Sequence, residues 1–445
     1  MIDFTREVAL KTLYKINNEE AFSNIALNEE LNKNKDKLTN QDIGFISQIV
    51  YGVTSWKLTI DEIIKKYSNI KLKKISPWII NILRMGVYQI VFLDKVPKSA
   101  AVNESVNLAK RYGHKASSNF VNAILRKIEK KDYQDFFYIK DAVERISKTT
   151  SMPKWIVEKL KKEMTIGKVE EICKNSNLKP NFTIRINNLK TNKNNIKEIF
   201  NKKNITIEEG IFENVINLKN VKQIENLEEF KNGLFAIQDE VTLLPCKVLN
   251  PKEGQKVLDA CSAPGGKAIY MAELMKNKGT IEAWDIHQHR VALIKENAKR
   301  LDAEIVNPQT RDATVFDEGY LEKFDKILLD VPCLGLGVLK RKPDIKWKKQ
   351  KMDIEEIATL QFDILNICSN YLKKGGELVY STCSILDDEN EKIINKFIEK
   401  NPNFVLKKLK INEKFFQKFI ENDVYLKVYQ NLKTDGFFIV KIVKK

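Results

Sequence analysis

The stretch Val257-Leu-Asp-Ala-Cys-Ser-Ala-Pro-Gly-Gly-Lys267 decides the fold of the second half of the chain. An apolar run ends at Asp259, a Pro-Gly-Gly turn follows, and a helix is expected to open at Lys267. Glycines in such a turn allow close backbone approach, and the first amides of the helix suit a carboxylate or a phosphate. The spacing matches neither G-x-G-x-x-G nor G-x-x-x-x-G-K-[ST], which disfavours a dinucleotide site and a P-loop. A strand-to-helix turn without a ligand is the simpler alternative.

Strands alternate with helices from about residue 233 onward. The expected strands are Lys256–Ala260, Thr280–Ile286, Lys326–Val331 and Glu377–Thr382, with a weaker one at Glu304–Val306, and the expected helices are 267–277, 288–301, 354–373 and 388–400. This alternation predicts an α/β fold in which helices cover both faces of a parallel sheet. Two late segments, Val424–Tyr429 and Phe437–Val443, are expected to form an edge hairpin. Ligands of such folds bind at the carboxyl ends of the strands.

The chain before residue 233 has a different pattern. Residues 1–140 are predicted to be all-helical, because apolar residues recur along single helix faces and the segment Ile79–Leu93 is apolar nearly all round. Residues 141–232 combine a helical stretch, Trp155–Lys168, with short β-like pieces at Phe182–Ile186 and Ile205–Ile207. We therefore predict an all-α domain (1–140), a small α+β domain (141–232) and an α/β domain (233–445). Three roles fit the middle domain equally well: a linker, an RNA clamp or a packing spacer.

Composition excludes several classes of protein. Apolar residues make up 43% of the 445 residues and charged residues 30%, which excludes wholesale disorder. No apolar run approaches the roughly 20 residues of a membrane span, and the N-terminal residues do not resemble a secretory signal. Six cysteines without a C-x-x-C pair, and only three histidines, favour neither a disulfide framework nor a metal site. We expect a cytoplasmic monomer without a metal ion.

The positive charge of the chain is concentrated in two places. The formal net charge is +17; residues 71–130 carry twelve Lys or Arg against three Asp or Glu, and residues 340–351 carry seven against one. A polyanion such as nucleic acid is a natural partner for such patches. An ordinary solvated surface explains the composition equally well.

Three acids and two cysteines follow the ends of the predicted strands. Asp285 lies about 20 residues past the glycine turn, where an acid can hold ribose hydroxyls. Asp312 follows the third strand and could accept a hydrogen bond from an adenine amino group, and Asp330 ends the fourth. A single acid at a strand end is often only a turn residue, but three beside one glycine turn favour a site.

Cys333 and Cys383 follow neighbouring strands and are expected in one cleft near Lys267. Positive potential there favours a thiolate, and thiolates at a cofactor cleft indicate covalent catalysis. Cys173, Cys246 and Cys368 are expected to be buried and inert.

These motifs resemble those of the S-adenosylmethionine-dependent RNA 5-methylcytosine methyltransferases. The resemblance rests on Asp259–Lys267, Asp330-Val-Pro-Cys333, Ser381-Thr-Cys383, Val338–Trp347 and Asp435-Gly-Phe-Phe438, and it covers about residues 233–445. One departure is Leu334, where the family usually has a small polar residue.

The first 130 residues resemble the NusB-type RNA-binding domain. The residues that carry this likeness are Arg6–Leu10, Ile82–Gln89, Ala101–Ala109 and Phe120–Leu125. A NusB-like domain before such a catalytic domain is the layout of the bacterial 16S ribosomal RNA methyltransferases of the RsmB/Sun/Fmu type.

The resemblance implies a function and a set of site residues. Cys383 would attack carbon 6 of a cytosine in small-subunit ribosomal RNA, Cys333 would help to remove the proton from carbon 5, and Asp330 would hydrogen-bond the base. S-adenosyl-L-methionine would lie along the turn, with Asp285 at its ribose and Asp312 at its adenine. The turn residues are Cys261, Ser262, Ala263, Pro264, Gly265, Gly266 and Lys267. RNA phosphates would pass Lys340, Arg341, Lys342, Lys346, Lys348 and Lys349.

Three other functions compete with this interpretation. The same chemistry could act on transfer RNA or large-subunit RNA, which the NusB-like domain disfavours. A non-catalytic RNA-binding assembly factor could keep the fold, although both cysteines and all three acids are present. A dinucleotide oxidoreductase is weaker still, because its glycine spacing is missing.

Overall fold

The structure is a computed structural model that describes residues 3–219, 221 and 224–445. The chain divides into two compact units. The first comprises Met1–Leu178 together with Leu339–Lys351, and the second comprises Lys179–Val338 together with Met352–Lys445.

The first unit is helical, as predicted. Its helices begin at recognisable signals: the Asp3 side chain accepts from the Arg6 amide at the first helix, Thr39 and Asp42 form a capping box at the third, and Pro77 opens the fifth. The helices are α1 (Phe4–Asn18), α2 (Ser23–Lys33), α3 (Asn40–Ser55), α4 (Lys57–Tyr67), α5 (Pro77–Phe92), α6 (Lys98–Tyr112), α7 (Lys115–Lys127), α8 (Lys131–Gln134), α9 (Ala142–Thr150), α10 (Lys154–Glu163) and α11 (Ile166–Asn175).

Helix α5 lies at the centre of this unit and is buried from Ile79 to Val91, which explains its nearly continuous apolar sequence. The unit runs on through α9, α10 and α11 to Leu178, past residue 140 where the sequence placed a boundary. The single helix expected at Trp155–Lys168 is divided between α10 and α11.

The second unit begins with a small four-stranded antiparallel sheet in the order β2-β3-β1-β4. Its elements are β1 (Phe182–Ile186), α12 (Lys193–Lys202), β2 (Thr206–Glu209), β3 (Val215–Lys219), α13 (Glu228–Lys231) and β4 (Phe235–Ile237). Strands β1 and β2 correspond to the two β-like pieces in the sequence, whereas β3 and β4 were not predicted.

A nine-stranded sheet forms the rest of the second unit. Its first elements are α14 (Leu244–Leu249), β5 (Lys256–Asp259), α15 (Gly266–Leu274), β6 (Thr280–Asp285), α16 (Gln288–Arg300), β7 (Val306–Thr310) and β8 (Phe324–Asp330). The next helix along the chain, α17 (Ile345–Lys348), belongs to the helical unit. The second unit then continues with α18 (Asp353–Ser369), β9 (Leu372–Thr382), α19 (Glu391–Lys400), β10 (Phe404–Leu406), α20 (Lys414–Gln417), β11 (Ile420–Glu421), β12 (Tyr425–Val428) and β13 (Phe437–Lys444).

The strand order of this sheet is β11-β12-β13-β9-β8-β5-β6-β7, with β10 paired to β13. The five strands β9, β8, β5, β6 and β7 are parallel, and β13 runs antiparallel beside β9. One face packs on α14, α15 and α16, and the other packs on α18 and α19. The predicted doubly covered parallel sheet is therefore confirmed, with the late strands paired as expected.

A buried ion pair joins the small sheet to the large one. Arg185 on β1 is fully buried, pairs with Glu273 on α15, and donates to Gln238 Oε1 at 2.9 Å. Its guanidinium lies 4.9 Å from the ring centroid of Tyr270. Gln238 also lies beside Gly266, so residues next to the small sheet pack against the turn where α15 begins.

Candidate active site

The glycine turn connects β5 to α15, as the sequence predicted. Gly265 has φ +97°, and a Cβ atom added there would lie 3.1 Å from Cγ2 of Ile294 on the neighbouring helix. Its amide donates to the Ser262 carbonyl at 2.8 Å. Glycine is therefore required for both backbone conformation and space. The first amides of α15 have no acceptor within the helix and open beside the strand end.

The carboxylate at the end of β5 is buried without a well-formed hydrogen bond. Asp259 is 1% exposed, and neither carboxylate oxygen has a hydrogen-bond partner of normal geometry among the described residues; the same holds for the Ser262 hydroxyl. Burial raises the pKa of Asp259 to about 7, against smaller opposing effects of the Lys267 ammonium and of the nearby Ser262 hydroxyl and Cys261 amide. A buried acid without a well-formed hydrogen bond, next to open helix amides, is suited to a ligand that carries both an ammonium and a carboxylate group. Asp259 lies inside the motif Val257–Lys267, but its residue type and position there predicted no role for it.

Lys267 connects the turn to the end of β8. Its Nζ lies 2.6 Å from Asp330 Oδ2, and Ser381 Oγ donates to Asp330 Oδ1 at 2.8 Å. Burial acts to lower the pKa of Lys267, but the Asp330 carboxylate outweighs it and the pKa is raised. Lys267 therefore stays cationic and compensates the charge of Asp330.

The two cysteines lie together. Asp330 and Ser381 are register partners on β8 and β9, so the loops that follow these strands leave the sheet side by side. The Sγ atoms of Cys333 and Cys383 are 2.7 Å apart, and both are free thiols, partly exposed. The hydrogen bond with Cys383 and burial raise the pKa of Cys333 well above its usual value. Either sulfur can be the donor of the hydrogen bond between them.

The other cysteines differ in surroundings. Cys173, Cys246 and Cys368 are buried, as predicted, and burial raises the pKa of each thiol. Cys261, in the turn, is partly exposed.

The remaining strand-end acids lie at the same edge of the sheet. Asp285 lies at the end of β6 and is buried. Its carboxylate accepts a hydrogen bond from the His287 amide at 3.0 Å and forms an ion pair with Arg290 at 3.2 Å. Asp312 follows β7 and accepts from the amide and hydroxyl of Thr314 at 2.8 and 2.6 Å. The order β8-β5-β6-β7 brings Asp330, Asp285 and Asp312 to the two sides of the glycine turn.

The basic residues of the segment 340–351 differ in their exposure to solvent. Lys346 is 1% exposed within the helical unit, where its Nζ donates to Asn177 Oδ1 at 2.7 Å and burial lowers its pKa to about 7. The expectation that Lys346 meets RNA phosphates is thus wrong. Lys348 donates to the Glu20 carbonyl at 2.6 Å and lies 3.7 Å from the ring centroid of Phe22. Lys342 is exposed, and the other three members, Lys340, Arg341 and Lys349, are half-buried.

Two kinds of feature are absent from the described residues. No helix there is long and apolar enough to cross a membrane. No group of three or more His, Cys, Asp or Glu side chains in that part of the chain is arranged to hold a metal ion.

Family models of known proteins match three successive parts of the chain. A model of the 16S rRNA methyltransferase RsmB/F family matches residues 246–443, the NusB family matches 4–130, and the ferredoxin-like domain of RsmF/B-like methyltransferases matches 152–225. The chain is 37% identical to the probable ribosomal RNA small subunit methyltransferase B of Bacillus subtilis (strain 168), over 99% of this chain and 98% of that protein.

Two further likenesses extend over the same length. Identity to ribosomal RNA small subunit methyltransferase B of Shewanella oneidensis is 29%, over 99% of both chains. The crystal structure of PH0851 is similar with a TM-score of 0.83 and 25% identity, and each chain is covered completely.

Proposed function

This chain belongs to the RsmB/F family of 16S ribosomal RNA methyltransferases, and from that premise we propose that it methylates carbon 5 of one cytosine in small-subunit ribosomal RNA through a covalent adduct on Cys383. The observation that carries the cytosine chemistry is the sulfur pair, with Cys333 Sγ and Cys383 Sγ 2.7 Å apart beside Asp330. Carbon 5 of cytosine is a poor nucleophile, so the conjugation of the ring has to be broken first, and a thiolate does this.

The turn of residues 261–267 is the proposed site of S-adenosyl-L-methionine, which when bound supplies an electrophilic methyl group. The amides at the start of α15 suit its carboxylate, and Asp259, which lacks a well-formed hydrogen bond, suits its cationic centres. Asp285 is proposed to hold the ribose and Asp312 the adenine edge. The backbone approach needs the absence of a side chain at Gly265 and Gly266.

Cys383 is proposed as the nucleophile. Its sulfur would bond to carbon 6, and the electrons of the carbon 5–carbon 6 double bond would then form the new bond from carbon 5 to the methyl group. The bond between that methyl group and the sulfonium sulfur would break, and the neutral thioether would be the leaving group. Cys333 takes the proton from carbon 5, the bond from carbon 6 to Cys383 breaks, and the double bond returns. Because a thiolate cannot reach carbon 6 of a cytosine that is stacked in a helix, the target cytosine enters unstacked or flipped.

Asp330 is proposed to hold the base. One oxygen accepts from Lys267 and the other from Ser381, which fixes the carboxylate plane and leaves lone pairs for the cytosine amino group. The Lys267 ammonium pairs with this carboxylate at 2.6 Å and balances its charge. The position of the base relative to Cys383 then depends on a side chain that is held at both oxygens.

The helical unit is proposed to bind RNA. Eleven cations from the 71–130 segment are exposed, of which Arg111 and Lys130 form ion pairs with Glu7 and Asp94. The other nine are Lys71, Lys73, Lys74, Lys95, Lys98, Lys110, Lys115, Arg126 and Lys127. Exposed cations in one segment neutralise phosphates and make affinity fall with salt concentration. From the second basic run, Lys342 remains a proposed phosphate contact.

The function is tested by product mapping. The protein is incubated with labelled S-adenosylmethionine and deproteinised 16S ribosomal RNA from a strain that lacks the enzyme, and the product is sequenced after bisulfite treatment. One new protected cytosine is expected. Protection only on transfer RNA or large-subunit RNA would overturn the substrate but keep the chemistry. Label incorporation without any protected cytosine would overturn methylation at carbon 5.

The two cysteines are tested separately. Cys383→Ala should abolish methyl transfer and still bind cofactor, because only the nucleophile is lost. Cys333→Ala should accumulate a protein–RNA adduct stable to denaturant, because release of the adduct needs a base. Cys173→Ala, a buried thiol of the helical unit, is the matched control. Wild-type turnover in Cys383→Ala would refute the assignment of the nucleophile.

A further inference from the structure

Glu389 holds the loop that carries Cys333. It lies in an acidic run, Asp387–Glu391, yet its side chain is fully buried. Its Oε2 accepts from the Leu334 amide at 2.8 Å and from Gln361 Nε2 at 3.1 Å. The same Gln361 nitrogen donates to the Pro332 carbonyl at 2.8 Å. The Glu389 carboxylate thus holds Leu334 directly and holds Pro332 through Gln361, so that the residues on both sides of Cys333 are fixed.

The same residue holds the loop that carries Cys383. The Ser384 hydroxyl donates to Glu389 Oε1, and the Tyr380 hydroxyl donates to the Glu389 carbonyl at 2.7 Å. The next residue, Asn390, completes the support. It accepts from Thr382 Oγ1 at 2.6 Å and donates to the Ser384 carbonyl at 3.2 Å.

We propose that Glu389 is a positioning residue that sets the separation of the Cys333 and Cys383 sulfurs, an inference that rests on the proposed function of this pair. Three donors, from Leu334, Gln361 and Ser384, converge on its two oxygens. Only an acceptor-only group with two oxygens satisfies all three without reorientation of a donor. Burial excludes water as a substitute.

The two loops also share a backbone contact, which limits the expected effect. The Gly337 amide donates to the Cys383 carbonyl at 2.8 Å, so loss of Glu389 loosens the pair without separating the loops. A displacement of about 1 Å between reacting groups lowers a rate by roughly 100-fold. The effect falls on the reaction of the sulfurs and leaves cofactor binding at the opposite side of β8 unchanged.

The test compares Glu389→Ala with Glu389→Gln. Glutamine keeps one oxygen for Leu334 and Gln361, and its amide can donate to the Ser384 hydroxyl, which also accepts. Ser384→Ala removes only one donor and is the milder variant if Glu389→Ala does not fold. Glu391→Gln is the control, because Glu391 pairs with Lys427 and contacts neither cysteine loop through a described hydrogen bond.

Two rates are measured on the full chain, with S-adenosylmethionine affinity as the check of folding. The first is formation of the Cys333–Cys383 disulfide with hydrogen peroxide, located by peptide mass; each thiol loses one hydrogen and peroxide is reduced to water. The second is single-turnover methyl transfer to 16S ribosomal RNA. The first rate needs neither RNA nor cofactor, and it depends on the separation of the sulfurs and on the fraction of thiolate. Because the Glu389 charge is one of the causes that raise the pKa of Cys333, the rate is measured over a pH series and the variants are compared at the alkaline plateau.

We expect both rates to fall by about 10- to 100-fold in Glu389→Ala, to fall less in Ser384→Ala, and to recover in Glu389→Gln. Wild-type disulfide formation in Glu389→Ala would overturn the proposal, as would Glu389→Gln being as slow as Glu389→Ala. If disulfide formation is slower in Glu389→Ala than in wild type but wild type never methylates RNA, the positioning role of Glu389 is supported and the proposed function is refuted.

Discussion

Replacing Asp259 by asparagine separates the stability of the cofactor site from its function. Burial raises the pKa of Asp259 from 3.8 to about 7, so its ionisation above pH 7 costs the folded unit about 4 kcal/mol. The penalty is nearly absent below pH 4, where the carboxyl is neutral in both folded and unfolded chains, and it grows as pH rises toward 7. Asparagine never ionises, and its buried amide otherwise resembles the neutral carboxyl group.

We therefore expect cofactor-free Asp259→Asn to be more stable than wild type, by about 4 kcal/mol at pH 8 and about 2 kcal/mol at pH 5. The assay is urea unfolding at the two pH values, with and without S-adenosylmethionine. Asp363→Asn, an exposed acid on α18, controls for loss of a surface carboxylate. The cofactor should stabilise wild type at pH 8 but give Asp259→Asn about 1.4 kcal/mol less, which corresponds to a tenfold loss of affinity.

Two outcomes would refute this reasoning. If Asp259→Asn is less stable than wild type at pH 8, the carboxylate has a favourable partner in the free protein and is not held there at a cost. If the difference between the two proteins is the same at pH 5 and pH 8, ionisation of Asp259 does not contribute to stability in this range.

Two further predictions concern buried charges elsewhere. Arg185→Met leaves Glu273 buried without its partner and should lower the free energy of unfolding by about 3–5 kcal/mol, most of which Arg185→Met combined with Glu273→Leu should recover in urea denaturation. Equal loss in the single and double variants would contradict this. Burial lowers the pKa of Lys346 to about 7, so this lysine loses its proton in the folded chain while it keeps it in the unfolded chain. The free energy of unfolding of wild type should therefore rise by about 3 kcal/mol between pH 6 and pH 9, and Lys346→Met should lack this rise. Parallel pH profiles of the two proteins would contradict the prediction.

The parts of this molecule that the sequence predicted are those with local causes. Strands β5, β6, β8 and β9 follow from apolar runs that end at turn residues, and the glycine turn requires a specific backbone conformation. The strand order then brings the predicted acids and cysteines to one edge, because parallel strands share their carboxyl ends. Strand β4 was missed because it has three residues and pairs with β1, about 50 residues earlier in the chain.

The errors in the site have a common physical origin. Charge density suggested that residues 340–351 face solvent, but Lys346 lies between apolar neighbours, Ile345 and Trp347, and Trp347 donates to the Thr54 carbonyl at 2.7 Å. Those neighbours were a signal that the segment packs against something. Glu389 gave no such signal, because an acid in a run of acids looks solvated until the fold brings three donors to it.

The surroundings of the sulfur pair also order the proposed steps. Both sulfurs cannot be thiolates at their separation, and the hydrogen bond with Cys383, burial and the nearby charges of Cys383, Glu389 and Asp330 raise the pKa of Cys333. Cys333 therefore keeps its proton in the free protein, which agrees with the proposed role of Cys383 as the nucleophile. Once Cys383 is bonded to carbon 6, it no longer carries charge or accepts from Cys333, so the pKa of Cys333 falls. In the proposed mechanism, Cys333 loses its proton to solvent once the adduct has formed, and the resulting thiolate is the base that takes the proton from carbon 5 in the release step.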